Sequence, residues 1–383
     1  MFDKRGVLFW PVGTGDSTTF IVRPDEIMFQ VDLRHSSKSE DEDTDCAPVI
    51  DYLVEHLPVV NGRPYLSAFA LTHPDKDHIQ GFAQLLEEVD IGELWFTPRV
   101  FREQDDEGCE DAQAFRTEAH RRVDATILAG GDPGPGDRVR LIGYDTLLEE
   151  DHYKGFPQQF FSVPGHVLTS LDGADLAGEF RVFIHAPFKQ DELVGDRNDT
   201  SLVMQVVLGD DAAAGGVLLF GDHKYPTIRK VFDISIKAGN EDNLRWQVML
   251  APHHCSKSVM YQEEDGKTVL KQDILDDFEK YQVGAGYVVA SANCIPESNE
   301  DGDNPPHALA KKRYSEIAIG GFVCTHDDGG YAEPLRFTAE GSDVDYASGG
   351  HIDENPGGLA AGVTSARGSD APPSTKVGFG GGL

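Results

Sequence analysis

The chain predicts an α/β protein of layered sheets and helices, on three observations. Apolar runs rich in Val, Ile, Leu and Phe, each roughly four to eight residues long, alternate with amphipathic stretches at helical spacing. Several of these runs stop at a short polar turn that holds His or Asp. With 383 residues, 39% of them hydrophobic, the chain has enough apolar material for one large domain or two small ones.

Three strands are expected first. Gly6–Val12 is apolar, and Gly13-Thr14-Gly15-Asp16 is a turn. Ser17–Val22 is a β-rich run, Arg23–Glu26 is a second turn, and Ile27–Leu33 is a third strand with Asp32 near its end. Residues 35–47, HSSKSEDEDTDCA, are acidic and polar and read as a solvated surface loop. Residues 48–57 read as a helix with Pro48 in its first turn.

The stretch at 65–88, YLSAFALTHPDKDHIQGFAQLLEE, organises the rest. Leu66–Leu71 reads as a buried strand, and Ile79, Phe82, Leu85 and Leu86 fall at helix spacing. Between them His73, Asp75, Asp77 and His78 lie within six residues on one loop. Two imidazoles and two carboxylates supply nitrogen and hard oxygen ligands, which suits Zn²⁺, Mn²⁺ or Fe²⁺. The bland alternative is a solvated loop with Asp77 capping the helix.

Ile91–Thr97 is the next expected strand, and the charged helix-like segment 101–129 is expected as a lid. Strands follow at Asp137–Ile142 and Arg181–Ala186, separated by an irregular stretch that contains Pro164-Gly165-His166. NDTSLVMQVVLGD and GVLLFGD then form two β runs, and the second ends in Gly221-Asp222. A carboxylate at such a strand end can bridge two cations. The segment LRWQVMLAPHHCSKS repeats the pattern of a strand followed by histidines, here His253-His254. Successive strand residues point to opposite faces, so one imidazole would face the metals and the other substrate or core; which does which stays open. Residues 268–281 read as a helix and Gly286–Ser291 as a strand. His307 opens the helix ALAKKRYSEI, and Gly321–His326 and Glu333–Phe337 close the sheet. From about residue 341 the chain is rich in Gly, Ser, Ala and Pro, so 341–383 is expected to be a flexible tail after a domain of residues 1–340.

The formal net charge is −33. A surface that acidic repels the backbone of long nucleic acids unless metal ions or basic patches intervene. The five cysteines (Cys46, Cys109, Cys255, Cys294, Cys324) are scattered with no CxxC pair, which argues against a disulfide framework or zinc ribbon and for a reducing cytoplasm. The first residues carry only a short apolar run without a cleavage-site pattern, so no signal peptide is expected. No run approaches the roughly 18 apolar residues of a membrane span.

The loop HPDKDH resembles the HxHxDH signature of the metallo-β-lactamase superfamily, with Asp75 at the middle His. Its HxDxDH form, with the Thr-His-Pro-Asp start, is similar to the metallo-β-lactamase domain of the ComEC/Rec2-like DNA-uptake proteins. PVGTGDSTTFIVRPDEIMFQVDL resembles that family's opening hairpin, Asn198–Val203 its N-x-x-S-L-V segment, His253–Ser258 its HHGSxxS motif with Cys255 for Gly, and Asn293 to His307 its N…H segment. The resemblance covers roughly residues 6–338 and implies an αββα sandwich with a metal site at one edge. It implies Asp32 as an acid that orients the metal loop. It makes Asp199 a ligand or a ligand-orienting group, with a capping residue before the strand as the plain alternative. Cys255 reads as an inert small residue, with a soft extra ligand as the alternative.

On that resemblance two divalent metal ions, Zn or Mn, would be held by His73, Asp75, Asp77, His78, Asp222 and His253 or His254. His73 and Asp75 would hold one ion, Asp77 and His78 the other, with Asp222 between. The expected reaction is hydrolysis by a metal-bound hydroxide, with Asp77, Asp222 and His307 as catalytic residues and His307 placed to meet phosphate at a helix start. A phosphodiester in a nucleotide or short nucleic acid is the expected substrate. A hydrolase of a small ester, lactone or thioester, or a non-catalytic binding module, are the alternatives. No membrane partner is expected.

Overall fold

The computed structural model describes residues 2–41, 44–102, 109–191, 198–298, 304–326, 332–341 and 343–347. The opening apolar runs form an antiparallel meander of β1 (Gly6–Phe9), β2 (Thr18–Arg23) and β3 (Ile27–Val31). Four further strands join parallel to β3 in turn: β4 (Arg63–Ala70), β5 (Asp90–Phe96), β6 (Arg138–Ile142) and the short β7 (Phe161–Ser162). Parallel neighbours need crossovers, and helices α1 (Val49–His56), α2 (Phe82–Glu88) and α3 (Glu110–Ala129) lie on the first three.

The second sheet contains β8 (Val167–Leu168), β9 (Arg181–Ala186), β10 (Val203–Val207), β11 (Gly216–Leu219), β12 (Trp246–Leu250), β13 (Gln282–Ala290) and β14 (Gly321–Cys324). Its order is β14-β13-β12-β11-β10-β9-β8, with the pairs from β11 to β14 parallel. Helices α4 (Tyr225–Lys237), α5 (Gln272–Lys280) and α6 (Ala308–Ile317) supply those crossovers. The chain then returns to the first sheet, where β15 (Leu335–Glu340) pairs with β1 and β16 (Asp343–Ala347) with β15.

Three apolar cores show how the layers stack. One joins Leu8, Ile21, Met28 and Phe69 to Leu53, Leu85, Phe115 and Val123, that is, the first sheet to its helices. A second joins Phe20, Phe29, Ala68 and Trp95 of the first sheet to Ile184, Met204, Val217 and Val248 of the second. The third joins Val203, Leu218 and Met249 to Ile228, Phe232, Phe278 and Tyr314. Strands covered on both faces lose hydrophobic alternation, which is why β1, β3 and β10 are buried throughout. The architecture is an αββα sandwich.

Several expectations change. Helix α3 is not a lid: Phe115, Ala119 and Val123 are fully buried, and the Phe115 ring packs against Phe69, Phe82 and Phe96. Residues 103–108 of that segment lie outside the described residues. The helix expected from Ile79 is broken at Gly81, whose φ of 94° starts α2 afresh. The helix expected from 268 starts at Gln272, because Lys267–Leu270 forms a small hairpin with Tyr261–Glu264. Within the acidic loop, His35, Ser39, Cys46 and Ala47 are buried. Helix α4, with Ile228, Val231 and Phe232 on its buried side, has no counterpart among the expected elements. The start of the expected tail is ordered as β16, so the sheet runs past residue 340 to Ala347; residues 348–383 lie outside the described residues. Among the described residues no helix is long and apolar enough to cross a membrane.

Candidate metal centre

The adjacent parallel strands β3 and β4 of one sheet and β11 and β12 of the other end at the same edge. Their exits carry Asp32, the HPDKDH loop, Asp222 and His253-His254. The structure brings His73, Asp75, Asp77, His78, Asp222, His253 and His254 together there. Asp222 is the centre of the arrangement. Its Oδ2 lies 3.8 Å from both His73 Nε2 and His253 Nε2. Its Oδ1 lies 3.3 Å from both His78 Nε2 and His254 Nε2. Asp75 Oδ2 is 3.8 Å from His73 Nε2, and Asp77 Oδ2 is 3.2 Å from His254 Nε2.

A hydrogen-bond relay fixes the rings. Asp32 accepts from the Thr72 N–H and from Thr72 Oγ1, each at 2.7 Å. With its proton so directed, Thr72 Oγ1 is left to accept from His73 Nδ1 at 3.1 Å. Asp32 Oδ2 also accepts from His78 Nδ1 at 2.8 Å. Both rings therefore turn Nδ1 to the Asp32–Thr72 pair and Nε2 inward, as acids behind metal-binding histidines do. Asp16 stands behind His254, its Oδ1 3.3 Å from Nδ1. Gly221 at φ 54° turns the chain sharply after β11, and His223 secures the turn by donating from Nδ1 to the Phe220 carbonyl at 2.6 Å.

The His-His turn is the most strained backbone at the site. His253, His254 and Cys255 have φ of 50°, 51° and 65°, three left-handed residues in succession without a glycine. Each such residue costs about 1–3 kcal/mol and persists only where the surroundings impose it. This turn corrects the strand-alternation expectation: the left-handed path sends both imidazoles to Asp222, one to each oxygen. It also turns Cys255 into the core, fully buried, with Sγ 4.0 Å from the His307 carbonyl.

The donor set fits divalent cations. Asp16, His78, Asp222 and His254 are all buried and each offers a ligand atom within 4.8 Å of all the others. Buried polar atoms ordinarily have partners, yet His73 Nε2 and Asp222 Oδ1 have no hydrogen bond. His78 Nε2 and His254 Nε2 face each other at 3.3 Å. The electrostatics ask for positive charge. Burial opposes protonation of His78, but Asp222 and Asp32 outweigh it and hold its pKa well above the usual range. His254 behaves alike under Asp222 and Asp16. Burial would raise Asp222 and Asp77, but His254 and His78 hold both low. Burial holds the pKa of His73 and His253 below the usual imidazole range.

Other expected residues stand apart. His307 is buried at the start of α6, where its Nδ1 accepts from the Lys257 N–H at 3.2 Å and its own N–H donates to the Cys255 carbonyl at 3.1 Å. These contacts brace the His-His turn. Asp199 accepts from Thr227 Oγ1 at 2.6 Å and so ties its turn to α4. Two residues carry more than their sequence context shows. Asp16 looks like ordinary turn chemistry, and only its pairing with a histidine 238 residues later reveals it. His326, at the end of an expected strand, is buried and accepts from the Gly13 N–H at 2.8 Å, which holds the turn carrying Asp16.

The αββα sandwich with its site at the strand ends is the architecture that the metallo-β-lactamase resemblance implies. The sequence matches no family model and no curated protein. Similar solved structures include a diphosphatase from the PhnP family, at 9% identity over 88% of this chain and 99% of that one, TM-score 0.38. Zn(2+)-bound PqqB from Methylobacterium extorquens is 9% identical over 84% and 97%, TM-score 0.39. An archaeal metallo-β-lactamase superfamily protein from Sulfolobus tokodaii is 12% identical over 82% and 98%, TM-score 0.30.

Proposed function

We propose that the chain is a metal-dependent hydrolase that cleaves a phosphodiester, most akin to the ComEC/Rec2-like branch of the metallo-β-lactamase superfamily. The observation that carries this is the convergence of four imidazole Nε2 atoms on the two oxygens of one buried carboxylate. His73, His253 and Asp75 would hold one divalent ion, His78, His254 and Asp77 the other, with Asp222 shared. Bound there, two such ions acidify a water and offset the negative charge of a phosphoryl transition state.

The protein's own groups do the rest. Asp32 and Asp16 keep Nε2 of His78 and His254 turned inward, so the rings need no reorganisation. Asp77, with its side chain 36% exposed, reaches the mouth of the centre and stays ionised. It accepts a hydrogen bond from the attacking water and aligns it. His307 acts at one remove, as a positioning residue for the His-His turn. The phosphodiester preference follows the ordered resemblance of N-x-x-S-L-V, HH-x-S and N…H to that branch.

The test is metal analysis of the full chain, followed by turnover with Mn²⁺ or Zn²⁺. The panel is bis-p-nitrophenyl phosphate, cyclic dinucleotides and short single-stranded DNA, beside esters and lactones. Turnover confined to the phosphodiesters supports the proposal. Turnover confined to esters or lactones, or none with metal bound, removes it.

A further inference from the structure

Acids outnumber Lys and Arg by 66 to 33 in this chain, but one cleft reverses the ratio. It holds about 390 Å³, and the charged residues lining it are Arg34, Lys38 and Lys76 against Asp45 and Asp77. Both acids have other company. Asp77 Oδ2 meets His254 Nε2 at 3.2 Å, and Asp45 Oδ2 faces His326 Nδ1 at 3.3 Å. Among the described residues neither is ion-paired with a cation of the cleft. Arg34 is held in place by donating from Nη1 to the Thr14 carbonyl, while its Nε is shut from solvent without a hydrogen bond. Lys38 and Lys76 extend from the rim as exposed side chains.

The cleft adjoins the metal centre, because Asp77 lines one and belongs to the other. Gly15 lets Arg34 and Asp77 pack close together. A side chain there would start 2.5 Å from Arg34 Cδ and 2.6 Å from the Asp77 carbonyl oxygen. Three cations against two acids leave the lining net positive, and the cations repel one another. A dianion relieves that repulsion, and a planar guanidinium with two ammonium groups is chemistry suited to phosphate.

We propose that this cleft is a second subsite, which seats a terminal phosphate of the substrate while the scissile phosphodiester lies at the His/Asp centre. The proposal rests on the hydrolase reading above and narrows it to substrates with a further phosphate beside the bond that breaks. It also reconciles an acidic protein with an anionic substrate: recognition is local and small.

The probes are the p-nitrophenyl ester of thymidine 5′-phosphate and its 3′-phosphorylated counterpart, with the corresponding mono- and bisphosphate products for calorimetry. With the metal-loaded full chain, the extra phosphate should lower KM and Kd by about 10-fold or more. Arg34→Gln/Lys38→Gln should bring that preference to about 2-fold or less, at unchanged metal content. Lys38→Gln alone, at an exposed position, should cut it by roughly 3-fold if the double variant folds poorly. A preference that survives in these variants, or is missing from the wild type, overturns the subsite. Turnover of both esters without a phosphate preference removes the subsite and leaves the hydrolase. An Arg34-dependent calorimetric preference without any turnover does the reverse.

Discussion

His185 on β9 and His78 after β4 are both buried, at 2% and 0% exposure, yet their rings are completed differently. His185 lies 2.9 Å from Ser235 Oγ through Nδ1 and 2.9 Å from the Asn243 carbonyl through Nε2. Nε2–H donates to the carbonyl and Nδ1 accepts from the hydroxyl, so one neutral tautomer satisfies both ends. Burial then lowers its pKa to about 4. His78 gives Nδ1 to Asp32, and its Nε2 meets a carboxylate oxygen and another imidazole nitrogen, both at 3.3 Å. Burial alone therefore separates nothing. What marks the candidate site is incomplete hydrogen bonding with acids standing behind the rings.

The strongest way to break this contrast is Asp222→Asn. The near-isosteric change keeps the fold but removes the charge between the two proposed ion positions. Activity should fall by about 10³-fold or more, several kcal/mol of transition-state stabilisation, with reduced metal content. His185→Gln, remote from the centre, should leave kcat/KM within about 3-fold at pH 7.5. Near-wild-type turnover by Asp222→Asn would falsify the shared-carboxylate assignment.

Next in size is metal binding itself. Asp77→Ala/His78→Ala should lose at least half of the bound metal by elemental analysis. Chelation should lower the wild-type melting temperature, because a ligand at 100 times its Kd stabilises the folded state by about 2.7 kcal/mol. Full occupancy in the double variant would place the ions elsewhere.

His185 sharpens the other side of the comparison through pH. The unfolded imidazole protonates near 6.5, whereas the folded one resists until about 4. The unfolded chain therefore takes up the proton first as pH falls. This residue contributes no pH dependence well above 6.5, and below it destabilises progressively, by up to ~3 kcal/mol once pH passes 4. Urea unfolding of chelator-treated wild type and His185→Gln at several pH values between 7.5 and 4.5 isolates the effect. Parallel stability profiles would show that His185 does not resist protonation.

These contrasts also show what was readable in the chain. The strand-loop-helix unit around HPDKDH, the Gly221-Asp222 end and the His253-His254 pair were visible because each follows an apolar run, where a strand must deliver its next residue to an edge. The layering followed from β runs too apolar to face water. Asp16 was obscure because an acid after glycines in a turn is common chemistry, and its partner is distant in sequence. The role of both histidines in the HHC turn was missed because strand periodicity was carried past the strand, into backbone that leaves the β region. The basic cleft was invisible for a similar reason. Arg34, Lys38 and Lys76 sit in two segments separated by β4, and an acidic composition around Lys38 suggested a solvated loop. Helix α4 was overlooked although Ile228, Val231 and Phe232 have helical spacing and Pro226 sits in its first turn.

The smallest expected effect comes from Cys255, where the strained turn meets the core. The resembling motif has glycine at this place, and the observed φ of 65° is one that glycine adopts without steric cost. Cys255→Gly should therefore relieve about 1–2 kcal/mol of backbone strain. Against that, it removes a fully buried side chain packed beside Tyr314 in the outer core of the second sheet and loosens the unfolded chain, at a cost of about 1–2 kcal/mol. The two nearly cancel, and the melting temperature should move by only a few degrees. Activity should stay within about 3-fold, because Sγ points away from Asp222 toward the His307 carbonyl and the His253 and His254 conformations are unchanged. Melting curves and metal content of the purified variant decide it. A loss of metal would mean that the sulfur is a ligand after all, and that the turn is held left-handed by coordination rather than by the packing of Cys255 beneath it.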